Sequence, residues 1–221
     1  MAFLIYITIV ATLLTTVLIF ALWPLATRLK LVDKPAGRKT HKGDIPLIGG
    51  PVIWLVVFTG LILFIPNPPW SALPAATILV ILGVADDRQP IPAHIKLIFH
   101  LSAAGIVVLG ENLVVSDIGI LPGIFGSPEL ATLHTAFAVI AIAVAINAFN
   151  MIDGIDGLSA SMALLALTHI NLSFNLILGS TPADYATFAA LFSGSLAGFL
   201  LFNLQVFNGR KIFLGDSGSM L

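Results

Sequence analysis

The chain has 221 residues, of which 58% are hydrophobic and 10% charged, with a mean hydropathy of +1.05 and a formal net charge of -1. Soluble domains carry about 25% charged residues, so this composition excludes that class and reads as an integral membrane protein. The lack of cysteine excludes disulfides, thiolate metal sites and a cysteine nucleophile. No basic stripe interleaved with aromatics offers a surface for nucleic acid.

Apolar runs set the architecture, because a helix of about 20 residues crosses the hydrocarbon core of a bilayer. The first run, residues 3–25, is followed rather than preceded by basic residues, which argues against a cleaved signal peptide and places the N-terminus outside the cytoplasm. Residues 47–65 return outward to an Asn67-Pro68-Pro69 turn, and residues 71–85 come back in to Asp86. Residues 95–109 lead out to an external stretch, about 110–132, with Glu111, Asp117 and Glu129 but no basic residue. Within it, residues 113–121 and Pro122-Gly123 suit a small extended or hairpin element. Residues 133–146 descend, 158–178 ascend, and 185–203 descend again after a turn at 179–184. Gly194, Ser195, Ala197 and Gly198 give that last run a small-residue face for close packing in lipid. Trp23 and Trp70 suit the interfacial aromatic belt, and His100, His134 and His169 suit contacts between helices. The predicted fold is an all-α, polytopic helix bundle with about seven transmembrane helices, one transmembrane domain over residues 1–221.

All ten Lys and Arg residues fall in three polar stretches: Arg28, Lys30, Lys34, Arg38, Lys39 and Lys42; Arg88 and Lys96; Arg210 and Lys211. The positive-inside rule puts these stretches in the cytoplasm, with cytoplasmic loops at about 26–46, 86–96, 147–157 and 205–221. Of the eleven acids, Asp33, Asp44, Asp86, Asp87, Asp153, Asp156 and Asp216 share that face. Glu111, Asp117, Glu129 and Asp184 read as solvated external charges. Acids abutting apolar spans are costly unless paired or facing water, and a cluster of them at helix mouths outlines a cation site.

The adjacent carboxylates of Asp86 and Asp87 repel, so they need a cation or one raised pKa, although a solvated loop pair explains them equally well. Lys96, opening the next span, could pair with either or grip a phosphate. His94 in the same loop is a weaker substrate contact. In the segment Asn147 to Leu158, Asn147, Asn150 and Asp153 recur every third residue, which lines them up on one face of a helical end. Gly154 and Gly157 would end that helix and let main chain approach a ligand. The Asp-Gly repeat is not an EF-hand, since the acid at position 12 is missing and both flanks are apolar. Asp216, between Gly215 and Gly218 and beside Ser217 and Ser219, suits a metal ligand with phosphate nearby, or a plain turn.

These motifs, in this order, resemble those of the polyprenyl-phosphate N-acetylhexosamine-1-phosphate transferases. The matches are Asp86-Asp87, Asn147-x-x-Asn150-x-x-Asp153-Gly154-x-Asp156-Gly157-Leu158, and Gly215-Asp216-x-Gly218-Ser219. A fourth is the early loop Asp33-x-Pro35-x-x-Arg38-Lys39-x-His41 with Ile45-Pro46-x-x-Gly49-Gly50. The first loop is more similar to the branch that transfers GlcNAc-1-phosphate than to the phospho-MurNAc-pentapeptide branch of peptidoglycan synthesis.

The resemblance implies a catalytic domain of the bacterial cytoplasmic (inner) membrane, its site facing the cytoplasm, that starts cell-surface glycan synthesis such as O-antigen or teichoic acid. A UDP-N-acetylhexosamine and undecaprenyl phosphate would give the lipid-linked diphospho-sugar and UMP, with magnesium required and manganese as a substitute. By the same resemblance Asp216 is the principal metal ligand and Asn150 a second. Asp86 and Asp87 form the catalytic pair, with Asp153 in the motif beside them. One of the pair is a proposed base, yet a phosphate with a second pKa of about 6 is already largely dianionic at neutral pH, so orienting nucleophile and metal is the alternative role. Lys96 would hold the diphosphate, and Asp156, Asn203 and Phe213 the uridine, with the phenyl ring as a stacking surface. His41 and Lys42 either contact anionic headgroups and set topology or reach the UDP-sugar phosphates. Family members run on past the glycine-flanked Asp, so a chain ending at Leu221 is expected to be incomplete at its C-terminus and inactive alone; a homodimer is compatible with the resemblance.

Two other classes compete. An ion-coupled transporter should hold its acids near mid-membrane, often in broken helices of repeated halves, whereas these collect at one face. A purely structural membrane subunit leaves residues 147–158 unexplained.

Overall fold

The computed structural model describes residues 2–35, 43–113, 131–207 and 209–221. Its long helices are α1 (Ala2–Arg28), α2 (Gly49–Phe64), α3 (Ala72–Arg88), α4 (Ala93–Gly110), α5 (Ala131–Ile152), α6 (Leu158–Leu178) and α7 (Ala183–Asn203). A one-turn helix, α8 (Asp216–Ser219), and two short strands, β1 (Val32–Asp33) and β2 (Ile45–Pro46), complete the described elements. Helices satisfy their own backbone hydrogen bonds, which the bilayer interior demands. Proline sets several boundaries: α2 stops before Pro66, Pro90 and Pro92 separate α3 from α4, and Pro182 precedes α7.

The chain is thus an all-α, polytopic membrane protein. Five helices, α1 and α4 to α7, are long and apolar enough to cross a membrane. The other two expected crossings are also helical but shorter, with 16 residues in α2 and 17 in α3. Helix α7 is the central post: 61% of its span is buried, against 11% to 22% for the other four. Outward positions of α1 such as Leu13 and Val17 stay exposed and apolar, as a lipid-facing surface requires.

Helix α1 crosses α7 at the small residues singled out in the sequence. A Cβ on Gly194 would stand 2.4 Å from the Thr8 carbonyl oxygen, and one on Gly198 2.7 Å from that of Thr12. The Thr12 hydroxyl donates across the crossing to the Gly194 carbonyl at 3.0 Å. Close backbone approach and a shared hydrogen bond hold the pair where lipid supplies no hydrophobic drive.

A second set of glycines places the polar end. The Gly49 and Gly50 amides donate to the carbonyls of Phe213 and Leu214 at 3.1 and 2.9 Å, and the Phe213 amide donates to Pro46 at 2.9 Å. Residues 212–215 therefore run as a strand-like stretch beside residues 45–50, with a parallel bridge between Leu47 and Phe213. The strands β1 and β2 pair antiparallel, Val32 with Pro46 and Asp33 with Ile45, in a loop for which the sequence predicts no strand. Helix α8 is then wedged between α2 and α3. A Cβ on Gly50 would lie 2.2 Å from the Gly218 amide nitrogen, and one on Gly83 2.2 Å from the Ser217 backbone.

Two expectations change. Glu111, expected to be a solvated loop charge, instead accepts hydrogen bonds from the Ser71 amide at 3.2 Å and hydroxyl at 2.5 Å, tying α4 to the start of α3. The loops at 86–96 and 147–157 are shorter than expected, because α3 runs to Arg88, α4 begins at Ala93 and α5 runs to Ile152. Of the extended element expected at 113–121, all but Leu113 lies outside the described residues.

Gly83→Ala should lower the melting temperature of the detergent-purified protein, because backbone is the obstacle and overpacking costs about 1–3 kcal/mol. Gly105→Ala, whose Cβ meets nothing within 4 Å, should leave it unchanged or raise it slightly. Equal melting temperatures for both variants would contradict the wedge.

Candidate active site

The C-terminal ends of α1, α3, α5 and α7 and the N-terminal ends of α2, α4 and α6 all lie at one end of the bundle, since successive helices alternate in direction. A cleft of about 780 Å³ opens there. Asp86, Asp87, Lys96 and Asp153 line it, with Asp156, Asn203, Phe213 and Asp216. The sequence scattered these residues across four segments, and the fold gathers them.

The Asp216 turn is the best-held part. Gly215 has φ +73°, a left-handed conformation that side chains resist, and a Cβ there would meet Asp87 Oδ2 at 2.6 Å. The Asp87 carboxylate accepts the Asp216 amide at 2.9 Å and the Ser217 hydroxyl at 3.4 Å. Asn150 Nδ2 donates to Ser219 Oγ at 2.8 Å from the opposite helix. Asp87, Asn150 and Asp216, far apart in sequence, thus meet around one turn.

Lys96 bridges two carboxylates, 2.7 Å from Asp86 Oδ2 and 3.6 Å from Asp216 Oδ2. Asp86 also accepts the Ile91 amide, which folds the α3–α4 loop back onto it; prolines on either side make that loop stiff. Both members of the Asp86-Asp87 pair are therefore already engaged by protein donors.

Burial pushes the Asp216 carboxyl up to about 6, helped by neighbouring Asp86 and opposed by Lys96 and Asn150. Burial pushes Asp153 up to about 7, with repulsion from Asp216, Asp87 and Asp156 added. Among the described residues that line the cleft, the acids outnumber the cations Lys96 and Lys211, and a ligand cation would relieve the excess.

Among the described residues no three carboxylate or imidazole side chains close on one point as a ready-made metal cage. A hard divalent ion is commonly held by one or two carboxylates, with water and ligand phosphate completing its shell. Asp216 and Asp153 offer such oxygens. Asn150 is placed less directly: its amide nitrogen is turned to Ser219, and it does not line the cleft.

On the other side, Lys211 Nζ lies 2.5 Å from Asp156 Oδ2 and 5.0 Å from the centre of the Phe213 ring. Asn203 is 4% exposed; its Nδ2 donates to the Ile212 carbonyl at 3.0 Å, while its Oδ1 is buried with no hydrogen-bond partner among the described residues. A buried acceptor of this kind is costly unless a donor arrives.

Some expectations do not hold. Asn147 does not share the site face: it is exposed, and its amide points to the Met151 sulfur at 3.4 Å. Helix α5 stops at Ile152, so Asp153 sits in the turn and not on the helical face with Asn150. Gly157, with φ +71°, makes the sharp entry to α6. His94 is exposed and off the cleft, and His41 and Lys42 lie outside the described residues. Sequence reasoning gave no role to Lys211, Asp33 or Gly83, yet the first two line the cleft and the third seats α8. A lysine two residues before Phe213 was the signal available for Lys211.

Comparison with known proteins gives the family. The profile of glycosyl transferase family 4 matches residues 69–221. An Escherichia coli K12 protein named undecaprenyl-phosphate alpha-N-acetylglucosaminyl 1-phosphate transferase is 34% identical over 218 residues, covering 95% of this chain and 57% of the relative. Proteins of the same name from Salmonella typhimurium and Yersinia pestis are each 33% identical, covering 95% and 92% of this chain. The chain spans a little over half the length of these relatives, 57% and 55% for the last two. With the profile covering most of its length, the chain belongs to glycosyl transferase family 4.

Proposed function

We propose that the cleft transfers an N-acetylhexosamine-1-phosphate, GlcNAc-1-phosphate first, from a UDP-sugar to undecaprenyl phosphate at the cytoplasmic face of the bacterial inner membrane. The observation that carries this reading is the convergence of the Asp86-Asp87 pair, Asn150 and Asp153 on the glycine-flanked Asp216 at one helix mouth. Named relatives carry the same activity in their names. A transporter would need such acids along a path through the bilayer.

In the proposed reaction an oxygen of the lipid phosphate bonds to the sugar-bearing phosphorus, the bond from that phosphorus to the bridging oxygen breaks, and UMP leaves. Such transfers depend chiefly on positioning and charge neutralisation. Magnesium held by Asp216, with Asp153 beside it, would neutralise the diphosphate. Lys96, already bridging Asp86 and Asp216, brings its ammonium to the same phosphates. Asp87 holds the turn that carries Asp216 and acts as a positioning residue. The Asn203 acceptor, the Asp156 carboxylate and the Phe213 ring provide the end that takes uridine.

Three outcomes follow in membranes from cells expressing a full-length version of the protein, measured as labelled lipid diphosphate and UMP formed. Asp216→Asn should lower kcat/KM at least about 100-fold, about 2.7 kcal/mol of barrier. Asp87→Asn retains an acceptor for the Asp216 amide and should cost about 10-fold; complete loss would instead make Asp87 the base. UDP-GlcNAc should be preferred over UDP-MurNAc-pentapeptide, and the reverse preference would move the chain to the peptidoglycan branch.

The raised carboxyls also fix a pH dependence. An acid whose folded pKa lies above its unfolded value of 3.8, as for Asp216 and Asp153, stabilises the fold below that value. The contribution is lost as pH rises through about 6 and about 7. Without divalent cation the melting temperature should therefore fall between pH 5 and pH 8, a window of roughly three units around those values. Magnesium at pH 8 should restore part of it, and a flat profile would contradict the charge excess.

A further inference from the structure

We propose that Lys211 is a positioning residue that sets base preference in the nucleotide end of this cleft. It acts by holding the Asp156 carboxylate beside the Phe213 ring. The inference rests on the uridine reading above and deepens it.

Lys211 reaches the cleft from the strand-like stretch that also carries Phe213, and side chains two residues apart on such a stretch project to the same side. Its ammonium pairs with Asp156 Oδ2 and stands 5.0 Å from the centre of the Phe213 ring. One side chain therefore fixes two others from different segments: an acceptor on the α5–α6 turn and an aromatic platform on the 212–215 stretch. The lysine side chain is only 18% exposed, against 46% for Asp156. The pair is partly screened, yet one carboxylate oxygen remains for a ligand.

The chemistry this selects is specific. A carboxylate next to an aromatic platform accepts a hydrogen bond from the edge of a stacked base. Uracil presents a ring N–H donor at its 3-position, whereas cytosine has an unprotonated acceptor nitrogen there and would face the carboxylate with a lone pair. A site built to receive a donor rejects an analogue that lacks it far more strongly than a shape-matched pocket does. Asn203, with its buried unpartnered Oδ1, adds a second acceptor to the same end. Neither acceptor discriminates unless it is held still. For Asp156, in a turn beside Gly154 and Gly157, Lys211 is the restraint. Phosphate binding belongs to Lys96 and the Asp216 end, so losing Lys211 should alter which base binds.

The test is calorimetric titration of the purified protein in detergent with UMP and with CMP, comparing wild type, Lys211→Met, Lys211→Arg and Asp156→Asn. Methionine keeps an apolar stem against the ring but removes the charge. Arginine keeps both the charge and the stacking contact. Wild type should prefer UMP over CMP by at least about 10-fold. Lys211→Met should shrink that ratio towards one, Lys211→Arg should keep it within about 3-fold of wild type, and Lys211→Met with Asp156→Asn should be no worse than Asp156→Asn alone. Ratios are compared at one temperature below the melting temperature of every variant, so unfolding does not enter, and an equal weakening of both nucleotides counts against the proposal. An unchanged ratio in Lys211→Met overturns it, as does equal loss of UMP and CMP, which would mark Lys211 as a phosphate contact or a structural strut. If wild type binds neither nucleotide, it is the uridine reading that fails.

Discussion

The hydrogen bond from the Asp216 amide to the Asp87 carboxylate, 2.9 Å long, is the constraint on which the polar end is built. It joins the end of α3 to a turn 129 residues further along the chain, and it forms only because glycines let backbone meet backbone. Gly50 and Gly83 leave room for α8, and Gly215 takes the left-handed conformation that points the next amide at Asp87. A side chain at any of these positions would push the turn off the carboxylate that holds it. The amides of Gly49 and Gly50 then clamp the preceding stretch, so the turn that carries Asp216 is held by main chain on one side and by the Asp87 carboxylate on the other. Rigid mounting of this kind is what a positioning-dependent reaction requires.

The same packing explains the electrostatics. Gathering Asp86, Asp87, Asp153, Asp156 and Asp216 around one half-buried cleft raises the carboxyls of Asp153 and Asp216, because water is withdrawn while like charges are brought together. Lys96 answers part of that charge at the Asp86 and Asp216 side, and Lys211 answers another part at the Asp156 side. What is left over is a surplus of hard oxygen donors near the Asp216 turn. On the proposed reading the cleft is polarised, one end taking a divalent ion and phosphates and the other an aromatic base. A nucleotide diphosphate-sugar has the same division along its length.

Much of this was legible in the sequence, for identifiable reasons. Charge clustering between apolar runs gave the helices and the shared polar face, since the bilayer punishes charges elsewhere. The small residues around Gly194 and Gly198 marked a close-packing face on α7, though not that α1 is its partner. The carboxylate motifs marked Asp86, Asp87, Asp153, Asp156 and Asp216, all of which reach the cleft. What the sequence hid depends on three-dimensional approach. Asn147 shares the three-residue spacing of Asn150, yet it is exposed with its amide on the Met151 sulfur, and Asp153 leaves that face because α5 ends at Ile152. The roles of Gly83 and Lys211 come from partners more than 50 residues away, Ser217 and Asp156. The β1–β2 ladder is too short to carry an alternating pattern.

The central claim is that Asp216 holds one divalent ion against the phosphates of a nucleotide sugar. Electron–nuclear double resonance on the purified protein, with manganese as the ion and UDP-GlcNAc as the ligand, measures this directly. The account predicts a protein-bound manganese signal with phosphorus-31 coupling that disappears in Asp216→Asn while UMP binding at the base end is retained. Manganese that binds with the same phosphorus coupling in Asp216→Asn, or that never couples to phosphorus in the wild type, would contradict it.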